Sequence, residues 1–186
     1  MSLFVAIRPP AAAVDHLEAG VRAVRVSDAG RELRWQPPSR WHVTVAFLGD
    51  VEEPALARLS SRFVRAAETC TAVDGLQLEG SGTFNHEVLW VGLTGGPDSV
   101  AALTRLSRTL GSALRRTHDD HRPWRPHLTL ARGRGIDPRP VADLLADYHG
   151  PQWRLASLEL VRSTGGPHPV HEAIARADLV SLGTGG

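Results

Sequence analysis

The chain has 186 residues, of which 42% are hydrophobic and 22% are charged, and its formal net charge is +1 at pH 7. This composition predicts a folded chain with a real core and excludes an intrinsically disordered one, and so small a net charge does not by itself indicate a nucleic-acid binder. All 21 basic residues are arginine, which excludes lysine Schiff bases, lysyl-nucleotide intermediates and a P-loop lysine.

The first half of the chain alternates predicted strands with predicted helices. Apolar runs predict strands over residues 2–7, 41–48, 76–80 and 88–93, with a short extended piece over 33–35. Apolar residues at helical spacing predict helices over 11–26 and 52–69. The polar stretch "SGTFNHE" is predicted to be the loop that joins the last two strands.

The second half of the chain repeats this mixture. A helix capped by Asp98 or Ser99 is predicted to run to about residue 116, and a shorter one is predicted over 138–148. Strands are predicted over residues 127–131, 154–163 and 173–179. Each half of the chain therefore holds helices and one strand with the pattern H-x-T, which weakly favours two pseudo-symmetric lobes.

The first of these strands reads "HVTVAFLG". Alternate side chains of a strand share a face, so His42, Thr44 and Ala46 are predicted to point toward one side. The opposite side is predicted to be a core face that holds Val43, Val45 and Phe47. The strand would thus present an imidazole and a hydroxyl, with a small alanine that leaves room beside them.

The second strand, "HLTLAR", has the same design. His127, Thr129 and Ala131 are predicted to share the open face, with Leu128 and Leu130 packed behind them. A lone histidine on a strand is usually structural, and one H-x-T is a weak signal. Two copies with the same apolar opposite face favour a functional interpretation.

Two imidazoles and two hydroxyls that converge on one cleft suit a phosphodiester substrate. Because the pKa of histidine is ordinarily about 6.5, one ring can act as a base while the other acts as an acid at neutral pH. Threonine hydroxyls can donate to the non-bridging phosphate oxygens. This division of labour requires no metal ion.

The paired motifs resemble the two-histidine phosphoesterases, and within them most closely the RNA 2′,3′-cyclic phosphodiesterases, historically called 2′-5′ RNA ligases. The similarity extends through "LFVAIRPP", "RWQPPSRWHVTVAFLGDV", "GTFNHEVLWVGL", "RPWRPHLTLAR" and "LELVRSTGGPHPVHEAIARADL". The resemblance implies an α+β fold of two pseudo-symmetric lobes, each an antiparallel sheet with outer helices, which enclose a central cleft. It covers most of the chain, and we expect residues 1–186 to form a single bilobal domain.

The resemblance also implies an activity: metal-independent hydrolysis of an RNA 2′,3′-cyclic phosphate end to a 2′-phosphate, with 2′-5′ ligation as the reverse reaction in vitro. It implies His42 as the proton donor and His127 as the base that activates water, with no cofactor. Arg132 matches the family's phosphate-binding arginine, as Thr44 and Thr129 match its threonines. Strand parity argues against Arg132, since it shares its side with the leucines.

Several residues outside the two motifs are candidates for binding. Phe84 and Trp35 could stack on a base, although such aromatics are more often core. An arginine cluster around the second motif is either a solvated face or a phosphate-binding surface; it comprises Arg122, Arg125, Arg132, Arg134 and Arg139. We interpret His168 and His171 as turn or strand-edge residues, and His16, His86 and His149 likewise as structural.

Three alternatives stay open. The same site could act on a small cyclic nucleotide such as ADP-ribose cyclic phosphate, or the chain could bind RNA ends without turnover. The loop "HDDH" (118–121) could hold a metal ion, although a solvated loop is the simpler interpretation. The single cysteine and the short apolar run at the N-terminus predict a cytoplasmic protein without a membrane span, and we expect a monomer.

Overall fold

The computed structural model describes residues 1–114, 124–165 and 170–181. Its strands are β1 (Ser2–Ile7), β2 (Arg34–Trp35), β3 (Val43–Asp50), β4 (Val73–Phe84), β5 (Val88–Thr94), β6 (His127–Arg132), β7 (Trp153–Leu155), β8 (Ser157–Ser163) and β9 (His171–Asp178). Its α-helices are α1 (Ala11–Val26), α2 (Asp28–Arg31), α3 (Leu56–Ala67), α4 (Pro97–Leu114) and α5 (Arg139–Leu144). Short 3-10 turns precede β3 and α3, at Pro38–Arg40 and Glu53–Ala55.

The strands of the described residues form one antiparallel sheet in the order β7-β4-β5-β6-β3-β1-β8-β9, with β2 added beside β6. The two histidine strands, β6 and β3, lie at the middle of this order. They are joined by a single residue pair, Val43 with Leu128. The sheet therefore has two halves of similar design, and the predicted α+β class with antiparallel strands in each half is confirmed.

The helices cover one face of the sheet. α3 packs on α4 and β9, while α4 also packs on β3 and β4. In α1 the buried residues Ala13, Leu17 and Val21 recur every four positions, so one stripe of that helix enters the core. Most buried apolar side chains form a single cluster between sheet and helices, whereas Phe4, Ala6 and Val161 form a small separate cluster.

Several predicted elements have the observed bounds and others do not. The first strand and the first helix match β1 and α1 at both ends. The stretch "SGTF", predicted to be a loop, lies instead in β4, which tolerates Gly75 and Gly80 at φ of 67° and 62°. The predicted strand over 154–163 is two strands, because β7 pairs with β4 whereas β8 pairs with β1 and β9.

No helix in the described part of the chain is both long and apolar enough to span a bilayer.

Candidate active site

The two histidine motifs meet where β3 contacts β6. His42 and His127 immediately precede the paired residues Val43 and Leu128. Because the strands are antiparallel, His127 and Thr44 lie on one side of this pair, and the other histidine and threonine lie on the opposite side. Each motif's hydroxyl is thus placed next to the other motif's ring.

A cleft of about 400 Å³ opens at this junction. It is lined by Ser2, Phe4, Gln36, Arg40, His42, Thr44, Phe47, His127, Thr129, Arg132, Ser163 and His171. The volume lies within the range of about 300–1,000 Å³ that is usual for small-ligand sites. The structure therefore brings together the two histidines, the two threonines and the arginine that the sequence proposed.

A β-bulge in β3 corrects the predicted faces of the first motif. Along β1 the pairing passes from Val5 with Ala46 to Ala6 with Thr44, which leaves one extra residue on β3. An extra residue reverses the alternation of side chains beyond it. Phe47 is consequently 40% exposed and lines the cleft, while Ala46 is buried in the core, so both predicted positions were wrong.

A matching bulge in β6 removes the parity conflict at the second motif. The pairing with β5 passes from Leu89 with Ala131 to Trp90 with Thr129, so Leu130 is the extra residue. Ala131 is therefore fully buried rather than on the open face, and its predicted position was wrong. Arg132, at the end of the strand, turns to the face of Thr129 and lines the cleft.

Backbone carbonyl groups hold both catalytic candidates in the same way. His42 Nδ1 lies 2.6 Å from the carbonyl oxygen of Arg40, and His127 Nδ1 lies 2.8 Å from that of Arg125. A carbonyl can only accept, so each ring donates its Nδ1–H. Nε2 is then the nitrogen of each ring that can accept a proton from, or return one to, a ligand.

Aromatic rings surround each histidine. His42 stacks on Phe4 with ring centroids 4.9 Å apart, and His171 meets it edge-on at 5.3 Å. His127 meets Phe84 edge-on at 4.8 Å. Phe84 also stacks against Trp90 at 5.3 Å and is not among the cleft-lining residues, so its role in binding a base stays a prediction.

This packing affects the protonation of both rings. Burial is the main cause that lowers the pKa of His42 to about 4, and the charges of Arg8, His171 and His127 lower it further. Burial also lowers the pKa of His127, although the hydrogen bond to the Arg125 carbonyl raises it by a smaller amount. Both rings are therefore neutral at pH 7 unless a nearby anion, such as a phosphate, raises their pKa.

Trp124 links the second motif to the first. Its indole Nε1–H donates to the carbonyl oxygen of Thr44 at 3.1 Å. Because Trp124 stands just before the second motif, this hydrogen bond ties the backbone of the first motif to the segment that leads into the second motif. Trp35, in contrast, packs against the core, and its Nε1–H donates to the Gly30 carbonyl oxygen at 2.8 Å.

Sequence reasoning missed several residues of the cleft. Arg40, Gln36 and His171 line it, as do the hydroxyl residues of β1 and β8. His171 is predicted to be a strand-edge residue, and it is indeed the first residue of β9, yet its ring faces the site. No local pattern marks these residues, because they reach the cleft only through strand pairing.

The remaining candidates lie elsewhere. His168, Arg122 and the loop "HDDH" lie outside the described residues. Within the described residues, no group of three or more histidine, cysteine, aspartate or glutamate side chains could hold a metal ion. The side chains of Arg125, Arg134 and Arg139 are exposed and do not line the cleft; nor do His16, His86 and His149.

Comparison with known proteins agrees with this geometry. A family model described as the 2′-5′ RNA ligase superfamily matches residues 9–167. The chain belongs to this superfamily. Its fold also matches a crystal structure from Thermus thermophilus with a TM-score of 0.78 and 25% identity, over 98% of this chain and 100% of that one. Escherichia coli LigT complexed with NADP+ matches with a TM-score of 0.73 at 22% identity, over 96% and 97% of the two chains.

Curated relatives of the chain carry the name RNA 2′,3′-cyclic phosphodiesterase. One from Geobacillus stearothermophilus is 34% identical over 109 residues, which are 53% of this chain and 32% of the relative. One from Archaeoglobus fulgidus is 29% identical over 116 residues, which are 60% and 61% of the two chains. The matched region thus spans about a third to three-fifths of these relatives' length.

Proposed function

We propose that this chain hydrolyses RNA 2′,3′-cyclic phosphate ends to 2′-phosphomonoesters, without a metal ion or cofactor. The observation that carries the proposal is the placement of two carbonyl-oriented imidazoles, His42 and His127, in one cleft with two threonines and an arginine. We further propose that residues 1–186 act as one bilobal unit, a cytoplasmic monomer. The names of the curated relatives support the reaction class.

The proposed chemistry uses each ring once. Nε2 of His127 accepts a proton from water, and the water oxygen forms a new bond to phosphorus. The bond from phosphorus to the 3′-oxygen breaks, and this oxygen takes the proton carried on Nε2 of His42. The product is a 2′-phosphomonoester, and solvent then restores the proton to one ring and removes it from the other.

Substrate binding prepares the proton donor. The pKa of His42 is lowered to about 4 by burial, so the ring is neutral at pH 7 before the substrate arrives. The negative charge of a cyclic phosphate beside the ring favours its protonated form and raises that pKa. Nδ1 already donates to the Arg40 carbonyl, so the added proton occupies Nε2, the nitrogen left for the ligand.

The remaining residues hold the phosphate. The hydroxyl groups of Thr44 and Thr129 can donate to the non-bridging oxygens, and the Arg132 guanidinium supplies the compensating positive charge. Arg132 has no ion-pair partner among the described residues, so it can bind a ligand at no loss of an existing ion pair. Phe84 is proposed to contact the base.

A direct assay tests this proposal. Purified protein is mixed with adenosine 2′,3′-cyclic phosphate and with a dinucleotide that ends in a 2′,3′-cyclic phosphate, in the presence of excess chelator. We expect 2′-phosphate products, separated from 3′-isomers by chromatography, and a loss of about 10²–10⁴ in kcat for His42→Ala or His127→Ala. We expect Arg132→Gln to lower kcat/KM by about tenfold or more, and Arg134→Gln, an exposed control, to leave it unchanged.

Other outcomes identify other functions. Loss of activity on chelation would reject the metal-free mechanism, and metal analysis would then test the "HDDH" loop. A higher kcat/KM for ADP-ribose cyclic phosphate than for the RNA end would favour the small-molecule alternative. Tight binding of 2′-nucleotides without turnover would identify a non-catalytic RNA-end binder.

A further inference from the structure

A polar row crosses three neighbouring strands beside the two histidines. Ser2 of β1 pairs directly with Ser163 of β8, and Ser163 pairs directly with His171 of β9. Directly paired residues of antiparallel strands share a face, with Cα atoms about 4.5–5.5 Å apart. All three side chains line the cleft, and none has a place in the proposed reaction.

His171 is the unusual member of this row. Its ring meets both His42 and Phe4 edge-on, at 5.3 and 5.4 Å, and its Nδ1 is buried with no hydrogen-bond partner among the described residues. With Nδ1 enclosed, Nε2 is the nitrogen left to contact a ligand, and a neutral ring protonated there is a donor.

Arg40 adds a positive charge to the same part of the cleft. Its side chain lines the cleft and has no ion-pair partner among the described residues, whereas Arg8 pairs with Glu159 at 3.0 Å. Arg40 lies close enough to affect His171: burial lowers the pKa of that imidazole, and the charges of Arg8 and Arg40 lower it further. A guanidinium that has no ion-pair partner among the described residues, placed beside a desolvated imidazole, favours an anion.

We propose that Arg40, Ser163 and His171 form a second phosphate subsite, which binds a phosphate group attached to the 5′ side of the nucleotide whose cyclic phosphate reacts. This inference rests on the proposed function. The guanidinium supplies charge, and the hydroxyl and the imidazole Nε2–H donate hydrogen bonds to phosphate oxygens. The subsite makes the enzyme prefer a substrate with a further phosphate group, either an RNA end or ADP-ribose cyclic phosphate, over a cyclic mononucleotide.

Kinetic selectivity tests the subsite in the active enzyme. The measured quantity is the ratio of kcat/KM for a dinucleotide 2′,3′-cyclic phosphate to that for adenosine 2′,3′-cyclic phosphate. We expect a ratio of about ten or more in the natural protein, falling about tenfold in Arg40→Gln and in His171→Phe, because each variant loses a charge-assisted or neutral donor. Running ADP-ribose cyclic phosphate in parallel shows which source of the second phosphate depends more on Arg40.

Arg125→Gln is the matched control. Arg125 stands two residues before His127, as Arg40 stands two residues before His42, and its backbone carbonyl has the same bond to the ring. Its side chain is exposed and does not line the cleft. We expect this variant to keep the selectivity ratio of the natural protein, and an equal fall in both arginine variants would overturn the proposal.

Direct binding separates this proposal from the reaction. Adenosine 2′,5′-bisphosphate and adenosine 2′-monophosphate differ only in the second phosphate, and their Kd values are measured by calorimetry. We expect the bisphosphate to bind about tenfold more tightly, with the advantage lost in Arg40→Gln and kept in Arg125→Gln. Equal binding of the two ligands overturns the subsite even if hydrolysis is found. An Arg40-dependent advantage without any hydrolysis supports the subsite and rejects the proposed function.

Discussion

Burial of His42 predicts a specific loss of stability in acid. Its pKa is lowered from 6.5 to about 4 in the folded protein, so between these values the unfolded chain binds a proton that the folded chain does not. Stability therefore falls as the pH falls through this window, and it is unaffected by the titration of His42 above pH 7. Each pKa unit of difference is worth about 1.4 kcal/mol, which gives a total loss of about 3 kcal/mol by pH 4.

The variant His42→Asn removes this titration. Unfolding free energies from urea titrations, followed by tryptophan fluorescence between pH 7 and pH 4.5, are expected to fall less steeply in the variant. His86→Asn is the control, because the side chain of His86 is 65% exposed and the asparagine suits its positive φ of 54°. A parallel loss of stability in the natural protein and in His42→Asn would contradict this prediction, since burial of the ring would then have no effect on its protonation.

Hydrogen bonding and burial at other positions give three more expected outcomes. Trp124→Phe deletes the hydrogen bond to the Thr44 carbonyl oxygen and is expected to lower the unfolding free energy by about 1 kcal/mol; an unchanged urea midpoint would contradict it. Because burial lowers the pKa of both His42 and His127, the pH profile of kcat/KM should be bell-shaped with its maximum below pH 6.5, and a profile still rising at pH 8 would contradict this. Burial raises the pKa of the Cys70 thiol, which is 7% exposed, so thiol reagents should modify it only after unfolding; rapid reaction in native buffer would contradict this.

Much of the fold follows from local pattern. The apolar run before Pro9 and the helical spacing after Pro10 locate β1 and α1 to the residue, because proline ends one element and suits the start of the next. The strand predicted over 76–80 is too short at both ends, because Gly75 and Gly82 resemble loop residues but lie inside β4. Sequence pattern also failed to separate β7 from β8. These two strands are neighbours in sequence, but they pair with different strands of the sheet.

Local sequence is enough to identify the chemical groups of the candidate site. Two H-x-T motifs identify the imidazoles and hydroxyls, because strand alternation places each pair on a common face. The family resemblance implies that Arg132 binds phosphate, whereas regular alternation places its side chain on the core face with the leucines. No local signal in "HLTLAR" marks the bulge that turns this side chain to the cleft. The alternation of side chains assumes a regular strand, so it cannot predict where an extra residue forms a bulge.

The side chains that surround those groups are set by strand pairing and register. The extra residues in β3 and β6 turn Phe47 and Arg132 into the cleft, and strand pairing carries Ser163 and His171 to a site far from them in sequence. These positions depend on register, which is set by the packing of whole strands rather than by any short stretch. Local sequence therefore supplies the reacting groups, whereas long-range pairing supplies the residues that would select the substrate.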